Sequence, residues 1–333
     1  MDSAQRADAA ERAITERHLR RLWGIPGTVL GRSAWPPRAG DRVHWHWNYW
    51  WQAHLLDCLV DAQLRRPDPA RARTIERFAR TIRLRNFGRW TNDFYDDMAW
   101  LGLALHRAGL EPDAVGTLVD DLRGGWTDDA GGGIWWRKGD RFKNVPANGP
   151  AAILHARVGE REHAARLLVW MEERLVDPDS GIVWDGLRVD TGELVALVYT
   201  YCQGVFLGAC LELSEVDAAV RTVHAVADRC TVDGVLRGQG GGDGGLFAGI
   251  LARYLALAAV ELPGDAAGVA RQLVLDSADA CWEGASEGPL FSPEWTEPSP
   301  GTPPPPGHVA RDLSVQLGGW MLLEAAASLS RED

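Results

Sequence analysis

Cysteine is scarce in this chain: five residues in 333, at Cys58, Cys202, Cys210, Cys230 and Cys281. They are odd in number, widely spaced and never arranged as C-x-x-C. That excludes a disulfide framework and a cysteine-based zinc site, and it suits a reducing compartment. A basic surplus is missing too. The net charge is −11, so nucleic acid and membrane surfaces are not expected partners, because both demand a basic face. No apolar run reads as long and charge-free enough to span a bilayer. Met1 to Arg21 is charged and amphipathic without an apolar h-region, so no signal peptide is visible and a cytoplasmic protein is expected. No G-x-x-x-x-G-K-[ST] follows a strand, and no G-x-S-x-G marks a nucleophilic serine. Cys202 has no His–Asn or His–Asp arrangement near it that would make it a nucleophile.

What is present in excess is tryptophan, with 16 residues, in a chain that is 46% hydrophobic. Flat, rigid aromatic faces stack well on the C–H faces of sugars. Core filling is the better account of any single one of them.

Hydrophobic periodicity predicts about twelve helices, starting with Ser3 to Trp23, Asn48 to Arg65, Pro69 to Arg85, the apolar stretch after Asp96 and Asp97, and Asp113 to Arg123. The pattern continues with 147–157, 161–175, 196–213, 216–230, 245–260, 265–281 and 309–329. Apolar and polar members alternate, and the apolar ones recur roughly every 50 residues. A helix that is apolar all round is buried, and one with a single apolar stripe lies outside. Six inner helices ringed by six outer ones form an all-α (α/α)6 barrel, read as a single domain over 1–333. Long Gly- and Trp-bearing loops (31–47, 124–146, 177–194, 233–243 and 283–308) all precede inner helices, so the pocket is expected at that mouth. Gly133 to Trp136 and Gly181 to Leu187 read as short hairpins within those loops.

Asn92 to Leu105 carries the adjacent carboxylates Asp96 and Asp97 at the start of an inner helix, with Asp93 as a plausible N-cap. One reading is that the pair complements the helix dipole. The other is catalytic: two like charges this close resist joint ionisation, so one stays protonated. Glycoside hydrolysis needs that split between an acid and an ionised carboxylate. Around the pair, the sequence offers further ligands. Trp47 and Asn48 belong to the aromatic run His44 to Trp51. Its two histidines lack a third ligand, so no metal is expected. Trp135 and Trp136 follow a glycine run and can supply a sugar platform, while Lys143, Asn144 and Asn148 can donate to hydroxyls. Asn148 reads equally well as a helix cap. Tyr199, Tyr201 and Gln203 open another inner helix. Asp243, before Gly244-Gly245, reads as an N-cap and a candidate sugar ligand.

Tyr95-Asp96-Asp97-Met98-Ala99-Trp100 resembles the Asp-Asp signature of glycoside hydrolase family 76, the endo-α-1,6-mannanases. Gly132 to Trp136, Lys143 to Pro150, Tyr199 to Gly204 and Asp243 to Phe247 resemble further family blocks in the same order, from about Trp45 to Tyr254. The resemblance implies an (α/α)6 barrel, no cofactor or metal, and retaining hydrolysis of α-1,6-mannosidic bonds in mannan or mannooligosaccharides. It implies Asp96 as nucleophile and Asp97 as general acid/base. Read from its place one turn into the helix, Trp100 is expected in the core, and Tyr95 is expected to hydrogen-bond the nucleophile. Cys202 stands where the resemblance implies an asparagine, which would alter substrate preference if that position touches sugar. Many members are secreted, whereas the missing export signal here points to an intracellular oligosaccharide. A transglycosidase on the same mannosides, a sugar-binding protein without catalysis, and an epimerase on the same barrel are the alternatives. The epimerase would need paired histidines on inner helices, which are not found.

Overall fold

Why the helices sort into two layers is visible in their composition. Thr200–Leu213 and Phe247–Glu261 carry almost no charge on any side, so neither has a face to show to water. Val216–Arg229, between them in sequence, places its buried residues Ala219, Thr222, Val223 and Val226 on one stripe. The structure, a computed structural model, describes residues 1–330. Among them are thirteen α-helices: α1 (Ser3–His18), α2 (Ala39–Arg42), α3 (Tyr49–Arg65), α4 (Pro69–Arg85), α5 (Tyr95–Ala108), α6 (Pro112–Gly124), α7 (Val145–Arg157), α8 (Arg161–Leu175), α9 (Thr200–Leu213), α10 (Val216–Arg229), α11 (Phe247–Glu261), α12 (Asp265–Glu283) and α13 (Leu313–Leu329).

Helices α3, α5, α7, α9, α11 and α13 each pack on the next, and α13 returns to α3, which closes an inner ring. Helices α4, α6, α8, α10, α12 and α1 lie outside it. This is the expected (α/α)6 barrel, with the one-turn α2 as an extra in the first long loop. Predicted boundaries hold within about four residues, except that α1 ends at His18 and the chain leaves it as a two-residue strand paired with Leu30–Gly31. Glycines let inner helices touch backbone to backbone. A Cβ on Gly249 of α11 would sit 2.6 Å from the Gly318 carbonyl of α13, and one on Gly204 of α9 would sit 2.8 Å from the Leu251 Cα. Any side chain there would force the wall apart.

The segment Gly242–Glu261 corrects one reading of the sequence. At 20 residues and a mean hydropathy of 1.4 it is long and apolar enough to cross a membrane, yet 61% of its most apolar window is buried within the fold. It is a wall of the ring. The five cysteines are free and buried.

The loops at the mouth carry a three-stranded antiparallel sheet, Phe142–Asn144, Gly186–Arg188 and Glu193–Val195. The hairpin joins the last two strands, downstream of the expected Gly181–Leu187, and the expected Gly133–Trp136 hairpin is reduced to isolated bridges from Ile134 to Trp126 and from Trp135 to Lys143. These loops are fastened by one device used four times. A fully buried amide near the start of an inner helix pairs with both the N–H and the C=O of one residue in the preceding loop. Gln52 holds Gly31 at 2.9 and 3.1 Å. Asn148 holds Ile134 at 2.8 and 2.9 Å. Gln203 holds Val183 at 2.8 and 2.7 Å. Gln316 holds Phe291 at 3.1 and 3.1 Å. In each case the second amide hydrogen goes to a carbonyl just before or at the helix start: Trp47, Asn144, Tyr199 and Ala310. Backbone groups that loops would otherwise bury unpaired are thereby satisfied.

At the opposite end, C-terminal ends of inner helices gather. Arg107 of α5 and Arg253 of α11 each bridge Asp57 and Asp61, both on α3. Burial alone would raise the Asp57 pKa, but the two guanidiniums hold it below the usual carboxylate range. Stability from this pairing is therefore present above the ordinary carboxylate pKa and is lost as pH falls through the lowered folded value. Asp57→Ala leaves two buried cations short of a partner and is expected to cost about 3–5 kcal/mol in urea denaturation at neutral pH. That deficit should shrink as the wild type is titrated into acid.

Candidate active site

A cavity of about 370 Å³ opens at the mouth of the ring, lined by Trp50, Asp96, Trp100, Trp136, Phe142, Asn144, Asp185, Tyr199, Tyr201, Asp243 and Phe247. Its aromatic wall is continuous. Tyr201 stacks on Phe247 with centroids 4.0 Å apart, Tyr199 meets the same ring at 5.3 Å, and Trp50 stands 6.3 Å from both Tyr201 and Phe247. Below it, the buried His54 ring lies 4.5 Å from Trp100 and 5.5 Å from Trp50.

Asp96 and Asp97 occupy the first turn of α5. The N-cap is Phe94, not Asp93; the Asn92 side chain instead receives the Phe94 N–H at 2.8 Å. The two carboxyls have different surroundings. Asp96 accepts the Asp97 N–H at 2.8 Å and the Trp136 indole N–H at 3.0 Å. Asp97 accepts the Asn92 amide at 2.6 Å and the backbone N–H of Trp50 in the first turn of α3. Two helix N-termini thus converge on the pair. Burial pushes Asp96 up to about 7 against those donors. Burial and then the neighbouring Asp96 charge push Asp97 well above the usual carboxylate range. One proton shared unequally between the two, resting on Asp97, is the arrangement those pressures favour.

Trp136 is brought over Asp96 because its loop pairs with the start of α5: the Tyr95 N–H donates to the Trp136 carbonyl at 3.0 Å. Asp243 is not a helix cap. It lies in a 3-10 turn, Gly242–Leu246, and takes the indole N–H groups of Trp50 and Trp51 at 3.0 and 2.9 Å. Asn144 both lines the cavity and caps α7 through the Ala147 N–H at 3.2 Å.

Several sequence candidates lie elsewhere. Gln203 and Asn148 are the loop-fastening amides described above, with no hydrogen left for a sugar; Asn148 is no cap either. Lys143 is fully buried, and its ammonium donates to the carbonyls of Thr127, Asp129 and Gly132 at 2.9, 2.7 and 2.6 Å. It locks the glycine loop, and burial lowers its pKa to about 8. Trp135 is packed against that ammonium at 4.5 Å, outside the cavity lining. Tyr95 faces away from Asp96: its ring fills the space beside Gly125, with the Lys138 ammonium 5.8 Å from its centre. Trp47 and Asn48 sit on the rim, where Asn48 precedes α3 with a left-handed φ of +41°. Cys202 is buried in the core, so its departure from the expected asparagine does not face the cavity.

Five lining residues were not singled out as ligands in the sequence: Trp50, Trp100, Phe142, Asp185 and Phe247. Trp50 and Trp100 read as helix interior, and Phe247 lay inside a quoted block. Asp185 gave no signal beyond its place in a predicted hairpin. Only 9% of it is exposed, and burial lifts its pKa to about 6.

Residues 6–304 match the family model of glycosyl hydrolase family 76. Among solved structures, the α-1,6-mannanase GH76A of Salegentibacter sp. HEL1_6 is 32% identical, with a TM-score of 0.87 over 98% of this chain and 100% of that one. An inactive variant of that enzyme, with two consecutive aspartates changed to asparagine, was solved with α-1,6-mannotriose; it is 31% identical over 98% and 100% of the chains, TM-score 0.87. The Lin0763 protein from Listeria innocua is 30% identical over 100% and 99% of the chains, with a TM-score of 0.86. No curated protein matches.

Gln203→Leu leaves the Val183 N–H and C=O unpaired in the interior and is expected to cost about 2–4 kcal/mol by urea denaturation. A sugar-contacting role would instead raise KM while leaving the denaturation midpoint where it was.

Proposed function

The chain belongs to glycosyl hydrolase family 76, and on that premise we propose that it cleaves α-1,6-mannosidic bonds with retention of configuration. The observation that carries the reading is the unequal surroundings of two neighbouring carboxyls. Asp96 lines the cavity and accepts two N–H donors, while Asp97, beside it and outside the lining, accepts the Asn92 amide and is pushed by burial and then by Asp96 towards its protonated form. Retention needs carboxyl groups only ~5 Å apart, a spacing within reach of consecutive residues in a first helical turn, whereas inversion needs room for a water between them.

Asp97 protonates the departing glycosidic oxygen as Asp96 attacks the anomeric carbon. The C–O bond breaks, and a glycosyl ester forms on Asp96. Asp97, now ionised, takes a proton from water, whose oxygen displaces Asp96 from the same carbon. The Trp136 indole and the Asp97 N–H hold Asp96 in line and disperse its charge as it leaves. Tyr199, Tyr201, Phe247 and Trp50 offer apolar faces to the sugar ring. Asp185, a carboxylate at the cavity wall, accepts from sugar hydroxyls. The relative solved with α-1,6-mannotriose supports mannan or mannooligosaccharide as the substrate class.

Catalysis needs Asp96 ionised and Asp97 protonated. Activity should therefore fall as pH drops through about 7, an acidic limb several units above that of an ordinary carboxylate, and fall again at higher pH as Asp97, itself held well above the usual carboxylate range, loses its proton. Both limbs describe the pair rather than either residue. Proton NMR of α-1,6-mannooligosaccharide digests is expected to show the α-anomer first; initial release of the β-anomer would sink the retaining route. Asp97→Asn is expected to lower kcat by about 10²–10⁴ and to erase the alkaline limb. Asp96→Asn should leave no measurable turnover.

A further inference from the structure

Eight non-glycine residues among those described have a positive φ; Trp23 (+50°), His44 (+52°) and Asn48 (+41°) lie in or beside the loop that Arg85 holds, and Phe87 (+55°) follows two residues after Arg85 at the end of α4. The same stretches hold the most exposed aromatic side chains: Phe87 is 83% exposed, Trp45 74% and Trp23 51%. Exposed apolar rings on strained backbone are unfavourable twice over, and strain of this kind concentrates at functional sites.

The patch is held together rather than frayed. The Arg85 guanidinium lies 4.9 Å from the Trp47 ring and 5.7 Å from the Trp23 ring. It also donates to the carbonyls of His44 at 3.0 Å and Trp45 at 3.4 Å. The Trp23 indole donates to the Val43 carbonyl at 2.8 Å. One cation thus fixes two aromatic rings and the loop that carries a third.

The patch joins the active site on a particular side. Trp47 packs edge-on against Tyr49 at 5.4 Å. Tyr49 donates its hydroxyl to the Trp90 carbonyl in the α4–α5 loop, the loop whose Asn92 amide donates to Asp97. Asp97 leans on Trp50 and Asn92, towards α3 and the α4–α5 loop, whereas Asp96 leans on Trp136 across the cavity. The acid of a glycosidase stands beside the departing oxygen, so the leaving portion of the substrate must extend past Asp97. From the geometry we propose that Trp45, Trp47, Trp23 and Phe87 form a rim platform that binds the leaving-group side of an α-mannan chain, beyond the cavity. This rests on the hydrolase reading above and adds to it named residues for the acceptor side.

The test compares kcat/KM for α-1,6-mannohexaose and for an aryl α-1,6-mannobioside whose leaving group ends short of the rim. Trp45→Ala and Phe87→Gly are the variants. Phe87→Gly also relieves the left-handed backbone, so its melting temperature is expected at or above wild type and a loss cannot be charged to unfolding. The hexaose-to-aryl ratio should fall about 3- to 10-fold for each ring removed, carried by KM. Ratios equal to wild type in both variants overturn the platform while leaving the mannanase reading intact. A wild type that turns over neither substrate overturns that reading and the platform with it.

Discussion

All six inner helices run the same way around a closed ring, and this single directional rule decides where everything else sits. Parallel helices bring six sets of unpaired N–H groups to one end and six sets of unpaired carbonyls to the other. Carboxylates belong at the first end and cations at the second. Asp96, Asp97 and Asp243 stand at the mouth, while Arg107 and Arg253 stand at the far end. The far end answers its buried arginines with Asp57 and Asp61, so its charges are paired off. The mouth leaves its acids beside a cavity, so it is available for chemistry.

The frame was legible because burial on all sides and burial on one side leave different periodicities. The alternation of apolar and amphipathic segments set both the helix count and the layer of each helix. Loop length set the location of the mouth. A helix dipole alone accounts for acids at the head of α5; the Asp96–Asp97 pair stood out because the two are adjacent, sit among aromatic residues and belong to a motif that resembles the family's Asp-Asp signature. Less of the ligand shell was legible. Lys143, Asn148 and Gln203 are polar residues beside glycine-rich or aromatic loops, which is also how sugar ligands look. Whether such a group meets a hydroxyl or a backbone carbonyl depends on how the loop folds back, and that is a tertiary fact. Asp185 shows the converse: an unremarkable loop aspartate becomes a cavity carboxyl because the three-stranded sheet carries it inward. The Gly242–Glu261 segment shows that hydropathy alone does not separate a ring wall from a membrane span.

Tryptophan serves several purposes here that composition could not distinguish. Trp320 is fully buried and donates its indole to Glu324 at 2.9 Å. Trp50 and Trp51 hold Asp243, and Trp136 holds Asp96. Trp23 and Trp45 are largely bare. The indole N–H makes the difference at the site. It lets a large apolar face line a sugar cavity while the same side chain orients a carboxylate, a combination that phenylalanine cannot offer.

The buried amides of Gln52, Asn148, Gln203 and Gln316 each answer to a single residue of a single loop. Fastening of this kind is local: each amide ties a loop to its own helix, and only where loops also pair with one another, as Phe142–Asn144 does with Gly186–Arg188, is a loop's register shared with its neighbour. In the crossovers outside that sheet, insertions, deletions or exchanges can therefore accumulate without disturbing the others, so long as one extended residue remains to meet the amide. A barrel built this way can diversify its rim piecemeal, changing which glycan it admits while the acid pair and the wall beneath stay as they were.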